Sequence, residues 1–138
     1  MIDRAEIVEH ARSWLGTPWH HQARLKGVGA DCVAVAIGTA KNFGFVPDFV
    51  DDPRYSRNPD GSMEQILEFY LCRVAWPERL PGDVVHVAWS RIPQHVGILT
   101  ERDTLIHAYG HNGVVETSLT GFLKSGVRGV YRFPELMA

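Results

Sequence analysis

The sequence predicts an α+β fold in which N-terminal helices pack on an antiparallel sheet of about five strands. Two observations carry that expectation. Apolar residues recur at helical spacing as far as Val74, and beyond Pro77 the pattern changes to short β-branched runs bounded by Gly, Pro, Asp or Asn. A third observation sets the scale: 138 residues suit one domain at roughly 150 residues each. Residues 1–138 are therefore read as a single domain, long enough to bury its own core.

The first helix is expected to start at Asp3 as N-cap, with Glu6 three residues later. Ile7, Val8, Ala11, Trp14 and Leu15 make one face, and Gly16 and Pro18 stop it. A loop from Thr17 to Ala30 carries Trp19, His20, His21, Gly27 and Gly29. A second helix is expected from Asp31 or Cys32 to about Phe43. It is apolar nearly all round, which places it in the middle of the core. The stretch 47–61 holds Pro47, Pro53 and Pro59 and reads as a surface connection, with Arg54, Arg57 and Asp60 on it. A third helix is expected over about Ser62 to Val74. Ser62 and Gln65 form its capping box, and Ile66, Leu67, Tyr70, Leu71 and Val74 its buried face.

Strands follow at Asp83–Ala88, His95–Thr100, Thr104–Tyr109, Gly113–Thr117 and Val127–Phe133. The gaps between them are short enough for hairpins, which makes the sheet antiparallel. Helices first and a meander second is the α+β order.

Composition narrows the function. An apolar fraction of 45% with 22% charged residues excludes wholesale disorder. A net charge of -2, without a basic stripe, argues against nucleic acid as a partner. No apolar run approaches the ~20 residues that span a bilayer, so no membrane partner is expected. The N-terminus lacks a basic and an apolar signal region, so synthesis in the cytoplasm is expected, with Cys32 and Cys72 as free thiols.

Three residues stand out chemically. Cys32 follows Gly27-Val28-Gly29-Ala30-Asp31 and enters the apolar helix. In a first helical turn it would meet unpaired N–H groups and the positive dipole end, which favour the thiolate nucleophile. His95 opens one strand and His107 lies within the next. A hairpin turn at Glu101-Arg102-Asp103, centred on residue 101, would set the two histidines directly opposite each other. A base oriented by a second polar group is the recurring plan of thiol catalysis.

These residues sit in blocks that resemble the NlpC-type cysteine peptidases. The blocks are Asp31-Cys32 before an apolar helix, Pro81-Gly82-Asp83-Val84-Val85, His95-Val96-Gly97-Ile98 and Ile106-His107-Ala108, with Leu15-Gly16-Thr17-Pro18-Trp19 as the entry. The resemblance covers nearly the whole chain. It implies a papain-like core and a Cys-His-His triad: Cys32 as nucleophile, His95 as general base, His107 orienting His95. It also implies hydrolysis of peptidoglycan stem peptides, typically between γ-D-glutamate and a diamino acid, with no metal or cofactor. Trp19 stands where the family has Tyr, and Val33 and Ala34 stand where it has Ser-Gly. Trp19 and Asp31 are assigned to the substrate and oxyanion region, together with the backbone N–H of Cys32. The chain also resembles the small members carried in phage tails and gene transfer agents. That likeness implies action from a virion or phage-like particle on a host cell wall, with other tail or baseplate proteins as partners.

Three competing readings stand beside this one. His107 and His111 are spaced to ligate zinc with His95 or His86, although Gly110 and Asn112-Gly113 oppose a helix there. A catalytically weak or inactive tail component would keep the fold and lose the chemistry. A related thiol amidase or acyltransferase would use the same residues on another amide. Elsewhere, Cys72 reads as structural, His86 as a strand-face residue and His20 and His21 as a solvated loop, while Trp76, Trp89, Phe122 and Tyr131 read as core or rim.

Overall fold

The computed structural model describes residues 2–21, 23–45, 61–89 and 92–137. The expected connection over 47–61, with Arg54, Arg57 and Asp60, lies outside them except for Gly61. Helix α1 (Arg4–Arg12) begins as expected, with the Asp3 carboxylate accepting from the Ala5 N–H. It ends three residues before Leu15, and Trp14 tucks into the core from the turn that follows. A small hairpin of β1 (Arg24–Leu25) and β2 (Gly29–Ala30) leads to α2 (Ala34–Phe43). Helix α2 is buried along most of its length, and Thr39 satisfies its hydroxyl on the Val35 carbonyl. Trp14 lies against Gly38, where any Cβ would collide with its ring, so the glycine sets how closely α1 and α2 approach.

The third helix is shorter than expected. Helix α3 spans Ser62–Tyr70, its N-cap is Gly61 with no side-chain cap, and Met63 and Leu67 are its buried residues. Residues expected to continue it form β3 (Cys72–Val74), paired with the last strand. Sheet pairing there overrides local helical periodicity. The sheet therefore has six strands, one more than anticipated. After β3 come β4 (Val84–Trp89), β5 (Ile92–Leu99), β6 (Thr104–Ala108), β7 (Val114–Ser118), the short helix α4 (Gly121–Ser125) and β8 (Val127–Arg132). The spatial order is β3-β8-β4-β5-β6-β7 and every pairing is antiparallel.

Side chains alternate across this sheet and divide the core in two. Val84, Val96, Ile98, Ile106 and Ala108 face α1, α2 and α3. Val85, Val87, Leu99, Leu105 and Val130 face the other way, under Leu119, Leu123 and Trp76. Tyr131 joins the helix-side core as expected, whereas Phe122 is 65% exposed.

One buried carboxylate ties these layers together. Asp83 is fully buried and accepts two bonds of 2.8 Å from Arg132, one of 3.3 Å from Arg4 and one of 2.8 Å from the Leu80 N–H. Its own carbonyl accepts from the Leu99 N–H. Asp83 thus joins α1, β4, β5 and β8. Replacing it with Asn removes the charge and leaves Arg132 uncompensated at little change in volume. The expected result for Asp83→Asn is a loss of about 3 kcal/mol of unfolding free energy, read from urea midpoints at constant slope.

Candidate active site

The cysteine loop is built on backbone bonds rather than on a helix. The Ala30 N–H donates to the Pro18 carbonyl at 2.9 Å, the His20 N–H to the Ala30 carbonyl at 3.0 Å, and Trp19 bridges Ala30. The Val114 N–H donates to the Thr17 carbonyl at 2.9 Å, which docks the start of this loop on β7. Trp19 is half-buried and stacks on His21 at 6.3 Å, and His20 and His21 are both exposed, as a solvated loop predicts.

Asp31 ends the loop. Expected to line the substrate region, it is only 1% exposed and accepts from Arg24 at 2.6 Å and from the Val33 N–H at 3.1 Å. It acts as an anchor for the turn into α2. Helix α2 begins at Ala34, with Val33 as N-cap, so Cys32 lies ahead of the helix and not in its first turn. Burial, and secondarily the Asp31 carboxylate, push the Cys32 thiol up to about 12; the Val96 N–H and Arg24 pull the other way. The expected depressed thiol is thus reversed. Desolvation disfavours the charged form more strongly than nearby donors favour it.

The position of Cys32 follows from the sheet. On β5 the Leu99 N–H bonds toward β4, at the Asp83 carbonyl. Alternation then directs the amides of Val96 and Ile98 toward β6. Pairing of β5 with β6 ends at Gly97↔His107, so the two strands part just before Val96. The Val96 N–H at this opening, one residue from His95, is the backbone group of β5 that pulls the Cys32 thiol down.

The histidines also meet, through a different register from the one expected. The pairs are Gly97↔His107, Ile98↔Ile106 and Leu99↔Leu105, which centres the turn on residue 102. His95 is therefore diagonal to His107 and not opposite it. A two-residue shift preserves the face, so both rings still point away from the helices. Gly97 makes the diagonal contact possible: a Cβ there would lie 2.6 Å from the Ile106 carbonyl and 3.0 Å from the His107 Cβ. The imidazoles lie 5.3 Å apart, with the half-exposed Tyr109 ring 5.5 Å from one and 5.7 Å from the other.

His107 is 3% exposed, and its Nε2 lies 3.1 Å from the Thr117 hydroxyl. Burial pushes its pKa down to about 4. An open groove of about 570 Å3 lies beside it, lined by His107, Tyr109, Thr117, Thr120 and Phe122. His86 is buried on the helix-facing side, directly across from Val96, so it shares no face with His95 and His107. Among the described residues no three metal-ligating side chains cluster. Sequence reasoning overlooked Arg24, Tyr109 and Thr117. Thr117 was not legible: a turn at Asn112-Gly113 would set it opposite Ala108, whereas the observed register, His107↔Val115, is centred on residue 111 and places it diagonal to His107.

No family model matches the sequence, and no curated protein does at a significant level. Solved structures do. An NlpC/p60 family protein from Bacillus cereus superposes with a TM-score of 0.72 at 18% identity, over 96% of this chain and 40% of that one. The NlpC/p60 domain of the peptidoglycan hydrolase SagA gives 0.70 at 17% identity, over 96% of this chain and all of that one. A Staphylococcus aureus protein of the NLP/P60 family gives 0.66 at 17% identity, over 94% and 41%. The chain thus spans less than half the length of two of these proteins and the whole of the third. With α1, α2 and α3 on one face of a six-stranded antiparallel sheet, it has the α+β, papain-like fold of the NlpC/p60 proteins.

Proposed function

We propose that the protein is a cysteine peptidase acting on bacterial peptidoglycan stem peptides, with Cys32 as nucleophile, His95 as general base and His107 orienting His95. The observation that carries this reading is the imidazole pair 5.3 Å apart on the strand whose Val96 N–H, one residue from His95, acts on the Cys32 thiol. The fold shared with the SagA domain, a peptidoglycan hydrolase, supports the substrate class. The bond between γ-D-glutamate and a diamino acid is the proposed target, and delivery by a phage tail or similar particle the proposed route to the wall.

In this mechanism the Cys32 proton passes to His95 as the sulfur attacks the amide carbonyl. The C–N bond breaks as His95 returns the proton to the leaving amine. Water, deprotonated by His95, then cleaves the thioester and releases the acid. The backbone N–H of Cys32 and the indole N–H of Trp19 are the proposed donors to the oxyanion. The groove beside His107 offers room for one side of the peptide.

The raised thiol favours the alternative in which the protein is a catalytically weak or inactive tail or assembly component. Digestion of purified peptidoglycan by wild type and Cys32→Ala, with mass spectrometry of the fragments, separates the two. Release by wild type of fragments cut after D-glutamate, and none by the mutant, is expected. Equal patterns from both proteins would defeat the peptidase reading.

Two pH dependences follow from the site. A thiol with a high pKa reacts through a minor thiolate, so Cys32 alkylation by iodoacetamide should accelerate from about pH 7 to about pH 10. A plateau near pH 6 would mean a resting thiolate–imidazolium pair instead. For His107 the folded value near 4 lies below the ordinary 6.5. The unfolded chain therefore takes up a proton first as pH falls, and stability drops by about 3 kcal/mol across that window. His107→Asn should flatten this slope in urea unfolding series.

A further inference from the structure

We propose that Thr117 is a positioning residue that holds the His107 imidazole as its Nε2–H tautomer, leaving Nδ1 as the bare acceptor toward His95. This deepens the peptidase reading and rests on it. The Thr117 hydroxyl lies 3.1 Å from His107 Nε2, while His107 Nδ1 is buried without a hydrogen-bond partner among the described residues. A neutral imidazole carries one donor and one acceptor, so whichever nitrogen bonds Thr117 decides the role of the other.

The chemistry selects between the two forms. To accept the Cys32 proton, His95 must present a bare nitrogen to the thiol, and its other nitrogen then carries a hydrogen. That hydrogen needs an acceptor on the side of His107, 5.3 Å away between ring centres. His107 can supply it only if its own hydrogen sits on Nε2. Thr117 is exposed on the edge strand β7, so its oxygen can accept from Nε2–H while its own hydrogen turns to solvent. A carboxylate could do the same work, but Glu116, the neighbouring one, is committed on the helix side. It holds Arg12 at 3.0 and 3.1 Å and accepts from the Thr104 hydroxyl at 2.7 Å. A threonine hydroxyl fixes the ring without the added charge that a carboxylate would bring.

Long-range proton–nitrogen NMR correlation on the full chain reads the tautomer directly and does not depend on turnover. Wild type and Thr117→Ser should show His107 as the Nε2–H form. Thr117→Val should show a mixture or the Nδ1–H form, with kcat on peptidoglycan fragments lowered roughly tenfold and KM unchanged. An Nδ1–H form in wild type would overturn the proposal. So would a Thr117→Val protein with wild-type tautomer and kcat. Absence of hydrolysis by wild type would strike the peptidase reading alone, and the tautomer pattern would still decide the role of Thr117.

Discussion

The candidate site depends on one constraint in β5: successive amides of a strand point to opposite edges. Odd-numbered residues of β5 serve β4, and even-numbered ones serve β6 until the two strands separate at Gly97↔His107. One residue further, Val96 lies beyond the last paired position, and its N–H acts on the Cys32 thiol instead. The loop before α2 thus meets the sheet where pairing of β5 with β6 ends. The loop is held for this by its bonds to Pro18, Ala30 and Val114, and by the burial of Asp31 against Arg24.

The electrostatics follow from the same enclosure. Burial raises the thiol and lowers His107, so both groups rest in their neutral forms at neutral pH. The charge pair of Asp31 with Arg24, close to the sulfur, shapes the turn, and its carboxylate opposes ionisation of the thiol. In the proposed mechanism, a site arranged in this way stores a proton on sulfur and moves it only when a base is aligned. Alignment, more than a standing charge, then governs reactivity.

Much of this was legible in the sequence, for identifiable reasons. The Asp3 cap, the all-round apolar α2 and the strands after Pro77 carry local signals that tertiary packing reinforced. The shared face of His95 and His107 survived an error of register, because strand alternation has period two and the error was two residues. What failed depended on distant partners. Residues 72–74 follow helical spacing, yet they lie beside β8, which the local sequence does not announce. The thiol was expected at a helix terminus and lies before it, where Asp31 and the sheet edge set its environment. The pairing of Asp31 with Arg24 and of His107 with Thr117 likewise arises from hairpins that fold back on the site.

Gly97 gives the site an uneven tolerance to change. Its missing side chain is what brings the two strands and the two imidazoles together, and even one carbon would press on the Ile106 carbonyl, the Leu105 side chain and the His107 Cβ at once. Two of these three obstacles are fixed by the β6 backbone, so no rotamer adjustment relieves them. Around this position the sequence has no graded path: neighbouring residues admit a range of sizes, whereas position 97 divides variants into those that keep the seam closed and those that open it.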